Sequence, residues 1–182
     1  MFEAFGYAFD HRVDRLEEAL QILHPLLKGQ RATFTGHHYQ VDDCLITPLG
    51  PRPQGIPLLM GASGPRILRL TARYADQWNT AWLGNPRDLA EPLERLQNAC
   101  READRDPAAL KVTVGVSLIF PDLGKTNPFT EKPLSGSIEA LAHAFKEFEE
   151  AGADHLILQA TPYGLPTMAR VAKAVQLYRD RT

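Results

Sequence analysis

Apolar residues between positions 11 and 29 recur at three- and four-residue steps: Val13, Leu16, Leu20, Leu23 and Leu27, with Glu17, Glu18 and Lys28 between them. This spacing predicts an amphipathic helix, with Asp10 as its N-cap and Gly29 as its stop. Pro25 lies inside the pattern and predicts a kinked or shortened last turn. At 33–41 the pattern changes: Phe34, Tyr39 and Val41 flank Gly36 and His37, which predicts a short β-hairpin. Four prolines and two glycines between positions 48 and 57 then predict a rigid, extended connection.

From position 56 the chain alternates. Strands are expected at 56–60 (IPLLM), 76–80 (DQWNT), 111–120 (KVTVGVSLIF) and 154–160 (DHLILQA). Helices are expected at 65–76, 88–104, 135–152 and 164–180, with Ser137 and Gly152 bounding the third. Pro92 and Pro166 fit in first turns, where a missing N–H loses no partner. A strand followed by a helix, four times over, implies an α/β fold with parallel strands and right-handed crossovers. An open doubly wound sheet and an arc of a (β/α) barrel both satisfy this pattern.

Charge and composition narrow the function classes. The 182 residues carry 20 Lys+Arg against 22 Asp+Glu, a formal net charge of −2, which disfavours nucleic acid or an anionic membrane as the main partner. With 44% hydrophobic and 23% charged residues, the chain can build a packed core. No apolar run approaches the ~20 residues needed to span a bilayer, and the N-terminal stretch has no basic segment followed by an apolar block, so a cytoplasmic location is expected. Cys44 and Cys100 are read as two reduced thiols.

Six histidines raise the question of a metal, but none is expected. His37 and His38 would point to opposite faces of a hairpin, and His11, His24, His143 and His155 lack ligand spacing. Glu147, Glu149 and Glu150 read as a solvated helix face. The absence of a G-x-S-x-G elbow leaves a serine hydrolase without support.

The chemistry-bearing stretch is 55–79. A strand ends in Gly61-Ala62-Ser63-Gly64, and a helix starts at once with Pro65-Arg66. Free amides at a helix start, small residues, a hydroxyl and an arginine make an anion site suited to a phosphate. The plain alternative is a tight turn that needs glycine. The turn is neither a Walker loop nor G-x-G-x-x-G. Arg69 and Arg73 read as solvated charges, and Asp76 as a cap or an arginine's ion-pair partner.

In order along the chain stand an opening element at Glu3 and Gly6, the helix HRVDRLEEALQILHPLL, and F-x-G-x-x-Y at Phe34, Gly36 and Tyr39. The P-R-P-x-x-I-P-L segment, the G-A-S-G-P-R turn, A-R-Y-A-D-x-W-N at 72–79 and G-A-D-H-L-I-L follow. Together these resemble the bacterial-luciferase-like oxidoreductases, (β/α)8 barrels that bind FMN or the deazaflavin coenzyme F420.

The resemblance implies a partial TIM-type barrel, its C-terminal half: a helix, hairpin and connection over 1–55, then four βα units over 56–182 within one domain. It further implies that Gly61, Ala62, Ser63, Gly64 and Arg66 hold the cofactor phosphate and ribityl chain, with Glu3, Gly6, Tyr7 and Arg12 near the same phosphate. Asn79, Trp82, Gln159 and Thr161 are candidates to face the flavin or a small organic substrate, although Trp78 and Trp82 also fit as core or rim aromatics. FMN implies oxygenation with O2, supported by a flavin reductase; the deazaflavin implies hydride transfer. A half-barrel also implies exposed strand edges and an apolar inner face, covered by a second copy or by the other half. The alternative function is a non-catalytic barrel half serving as a flavin- or phosphate-binding or assembly module.

Overall fold

The β-branched run at 111–119 becomes the longest strand and lies inside the sheet. In a computed structural model, which describes residues 2–6, 8–48, 50–52 and 55–181 (Glu3 by its backbone alone), the order is α1 (Arg12–Leu27), β1 (Ala32–Thr35), β2 (Gln40–Cys44), β3 (Leu59–Gly61), α2 (Pro65–Tyr74), β4 (Gln77–Leu83), α3 (Ala90–Glu102), β5 (Lys111–Ile119), α4 (Ile138–Glu150), β6 (His155–Thr161) and α5 (Leu165–Arg179). Strands β3-β4-β5-β6 form one parallel sheet in sequence order, and β1-β2 a separate antiparallel hairpin. This is the partial barrel, not an open doubly wound sheet, whose strand order would reverse.

Strand alternation divides the sheet into two faces. Val112, Val114, Val116 and Leu118 of β5 join Met60, Trp78 and Ala160 in one buried core with Leu68 of α2, Leu96 of α3, Phe145 and Phe148 of α4 and Val171 of α5. The other face carries a row in register across all four strands: Gly61, Asn79, Thr113 and His155. The expected apolar inner face is therefore only partly present. Leu59 and Ile157 are each about half exposed, but polar or small residues occupy most of the positions between them.

Two strands differ in extent from expectation. β3 begins at Leu59 because Pro57 has no N–H to give, and the Leu58 amide is taken by the Asp76 carboxylate at 2.7 Å. β4 runs on to Leu83 through an irregularity between Thr80 and Leu83. That bulge places Ala81 over Gly115, where an added Cβ would meet the Ala81 Cβ at 3.0 Å, and holds Trp82 at φ +65°.

Asp76 pairs with a lysine, not an arginine: Lys28 Nζ lies 2.8 Å away. Its carboxyl is raised by partial burial, but Lys28 and the Leu58 amide outweigh this and bring it below the ordinary value. Asp154 repeats the device at β5, accepting from the Val112 amide and Lys111 Nζ, both at 2.8 Å. The Ala-Asp dipeptides at 75–76 and 153–154 thus lock neighbouring strands at their N-terminal ends.

At the start of α1 the expected Asp10 cap is absent. His11 occupies the N-cap position in the left-handed region, φ +53°, without a side-chain cap. Arg15 donates instead to the carbonyls of Asp10 and Ala8, folding the opening segment back over the helix. The helix continues two residues past Pro25, and Gly29 follows at φ +72°. Ser137 caps α4 as expected, accepting from the Ala140 amide at 3.2 Å. Cys100 is buried and Cys44 half-buried, and both are free thiols.

The hairpin packs on α1 through Ile22, Leu26 and Ala32. Its turn closes around one side chain: Glu18 accepts from the amides of His37 (2.8 Å), His38 (2.8 Å) and Tyr39 (3.0 Å). His37 and His38 lie in this turn rather than in a strand, so strand alternation does not separate them. Their rings are 4.6 Å apart.

Candidate functional site

The turn from β3 to α2 is built from what its residues lack. Gly64 occupies the N-cap position of α2 and has no side chain to bond the first free amides, while Pro65 follows without a donor. A Cβ at Gly61 or Gly64 would find nothing within 4 Å, so the backbone on this side is open. Ser63 and Gly61 are exposed, Ala62 and Gly64 half-buried. Trp78, fully buried, donates from Nε1 to the Ala62 carbonyl at 2.9 Å and pins the turn from beneath. The corner lies at the C-terminal end of β3, where barrel sites form.

Arg66 is directed elsewhere. Its guanidinium bonds Asp14 and, at 3.1 Å, Glu17, both on α1. The hydrogen bond it donates to Asp14 raises its pKa further, and Asp14 in turn is lowered, first by Arg66 and then by His11. Through these two carboxylates Arg66 ties α2 to α1. Arg69 and Arg95, with Glu102, line a groove of about 350 Å³ that reaches Ser63.

Among the described residues, no hydrogen bond, ion pair or ring contact joins the opening segment to the turn. Arg12 stacks over the Phe9 ring at 3.7 Å, and Phe2 meets Phe9 edge-on at 5.3 Å. Gly6, at φ +71°, lies in a groove with Arg12. Tyr7 and the Glu3 side chain lie outside the described residues.

On the open face, Asn79 follows Gly61 in register and donates from Nδ2 to the Thr113 carbonyl at 3.2 Å. The Thr113 hydroxyl beside it is buried and unpartnered among the described residues, an orphaned polar atom on the same row. Trp82, exposed, stacks on Phe129 of the loop after β5 with centroids 4.5 Å apart. The Phe129 amide donates to Ser117 Oγ (3.3 Å), Ser117 donates to Gln159 Oε1 (3.2 Å), and Gln159 Nε2 donates to the Tyr163 hydroxyl at 2.9 Å. Trp82 and Gln159 thus stand toward the C-terminal end of the sheet, whereas Asn79, the third residue of the longer β4, lies further back, level with Thr113 and His155.

Thr161 does not join them. It is 2% exposed, and its hydroxyl accepts from the Asn127 amide at 3.3 Å, anchoring the loop. Sequence reasoning missed Phe129, Ser117 and Tyr163. Nothing in the sequence paired Phe129 with Trp82.

A parallel sheet in sequence order, with a small turn at the C-terminal end of its first strand and no side chain capping the helix that follows, defines a partial (β/α) barrel. The chain belongs to the luciferase-like monooxygenase family, whose model matches residues 1–122. It is 34% identical over 112 residues to the F420-dependent hydroxymycolic acid dehydrogenase of Mycobacterium tuberculosis, covering 59% of this chain and 29% of that protein. It is 35% identical over 109 residues to the F420-dependent glucose-6-phosphate dehydrogenase of Microbacterium testaceum, covering 57% of this chain and 32% of that protein. The matched region thus spans about a third of the curated relatives.

Among solved structures, an F420-dependent secondary alcohol dehydrogenase in complex with an F420-acetone adduct superposes with TM-score 0.71 at 17% identity, covering 92% of this chain and 62% of that one. A long-chain alkane monooxygenase superposes with TM-score 0.73 at 14% identity, covering 99% of this chain and 59% of that one. These likenesses bear on the fold. Among the described residues no helix is long and apolar enough to cross a membrane.

Proposed function

We propose that this chain supplies the phosphate-binding corner and part of the substrate face of a luciferase-like oxidoreductase acting on a small organic substrate. The observation that carries the reading is the open, uncapped start of α2 immediately after Gly61–Gly64. Amides at such a helix start, with the Ser63 hydroxyl and the nearby Arg69 charge, suit the phosphate of FMN or F420. The named activities of the relatives at 34% and 35% identity favour the deazaflavin, and with it hydride transfer.

When bound, the coenzyme supplies the two-electron chemistry. The chain's own residues bind and orient: the turn fixes the phosphate end, Asn79 presents an amide on the open face, and the Trp82–Phe129 pair walls the mouth. Gln159, braced from beneath by the buried Ser117, and the exposed Tyr163 offer amide and hydroxyl groups to a substrate's polar end. The protein is read as a cytoplasmic enzyme; with FMN, a flavin reductase would be its partner.

A second reading rests on the sheet edges. β3 and β6 each pair on one side only among the described residues, leaving ladder groups to be covered by a second copy or by further barrel strands. In that reading the chain is a flavin-binding or assembly module without turnover of its own. The experiment is titration of the full chain with F420 and with FMN, followed by absorbance and fluorescence, with sedimentation to report its assembly state. Saturable F420 binding that Ser63→Asp removes supports the first reading. An oligomer that binds neither coenzyme supports the second.

A further inference from the structure

Away from that turn, the fold gathers three metal-ligating side chains that sequence spacing keeps apart. His11 and Asp14 lie at i, i+3 on α1, with His11 Nδ1 and Asp14 Oδ2 3.0 Å apart. His38 arrives from the hairpin, and its ring centroid lies 5.9 Å from that of His11. One ligand atom from each of His11, Asp14 and His38 falls within 4.8 Å of the other two. We infer that His11, Asp14 and His38 form a binding site for a divalent first-row transition metal such as Zn2+, which clasps the hairpin to α1.

The chemistry of the set fits. Two imidazoles and a carboxylate suit Zn2+, Co2+ or Ni2+ rather than the all-oxygen shells of Mg2+ or Ca2+. Tetrahedral ligand bonds of about 2.0–2.1 Å place donor atoms roughly 3.4 Å apart, so the His11–Asp14 edge is already near its bound length. His38 lies within 4.8 Å of both, so it has at most about 1.4 Å to close, within reach of a side-chain rotation.

The surroundings hold the donors in place. Glu18, one helical turn beyond Asp14, grips the His37, His38 and Tyr39 amides and so brings His38 over the helix. Arg66 takes Asp14 Oδ1, leaving Oδ2 on the His11 side. This orients the carboxylate in the way that outer groups orient metal ligands. His11 is held at φ +53°, a conformation uncommon outside glycine and often kept at functional positions. A fourth position is left to water.

The test is Co2+ and Zn2+ titration of the full chain at neutral pH, with visible absorption of the Co2+ form and calorimetry for stoichiometry. One metal per chain is expected, with His11→Ala and His38→Ala each weakening it at least about tenfold. His143→Ala, on α4, should leave binding unchanged. His38→Cys keeps a ligand, so it should retain the metal and add a thiolate-to-Co2+ charge-transfer band; this positive signal does not depend on a loss. No saturable binding, or binding indifferent to His11→Ala and His38→Ala, overturns the site.

Discussion

Two glycine-bearing turns in this chain are finished in opposite ways. In the hairpin, Glu18 fills the concavity and takes three amides, and a Cβ on Gly36 would run into that carboxylate and the Phe34 ring. At the β3–α2 corner no side chain caps the helix, and a Cβ on Gly61 or Gly64 would meet nothing. The difference teaches where an external anion can act. Amides satisfied from within hold the fold together; amides left open at the mouth of a barrel are available to a ligand.

The largest expected effect comes from filling the open corner with charge. Ser63→Asp should weaken F420 or FMN binding by about 100-fold, since a carboxylate repels the phosphate and competes for the same amides. The thermal midpoint should barely move; a coenzyme titration beside a melting curve checks both. Gly36→Ala should do the reverse. Overpacking against Glu18 and Phe34 should cost about 1–3 kcal/mol of stability, read by denaturant unfolding, with little change in coenzyme affinity. Gly64→Ala, at φ −78° with open space around it, should stay within about 0.5 kcal/mol of the parent.

Protonation probes the filled turn. Partial burial raises the Glu18 carboxyl, but the His38, His37 and Tyr39 amides together hold it below its ordinary 4.5. A depressed folded pKa adds stability that is fully present above about pH 4.5 and lost as pH falls through the folded value. Thermal scans toward acid should therefore show a loss that is smaller in Glu18→Gln. The smallest effect should come from Arg66→Ala. Because Asp14 and Glu17 already hold that guanidinium, coenzyme affinity should change by less than about threefold. A larger drop would show that Arg66 turns to the phosphate.

Legibility followed the range of the interactions. The βα alternation, the Ser137 cap and the open corner at 61–64 could all be read because each depends on neighbours in sequence. The Asp10 cap could not, since Arg15 reorganises the segment ahead of the helix. Thr161 had the parity of an inward residue, but the loop at Asn127 folded over it. The Trp82 stack depends on a bulge in β4 and on the path of a long loop, neither of which leaves a periodic signal.

By itself, the sequence determined the order of elements, the parallel sheet and the small-residue turn, because hydrophobic period, prolines and glycines act within a few residues. Tertiary structure alone decided which partner each charge found. Arg66 went to Asp14 and Glu17 on α1, Asp76 to Lys28, and Glu18 to a turn about 20 residues away. It also brought His38 beside His11 and Asp14. Long polar side chains can reach several partners at similar cost, and only the packed positions of helix and hairpin select among them.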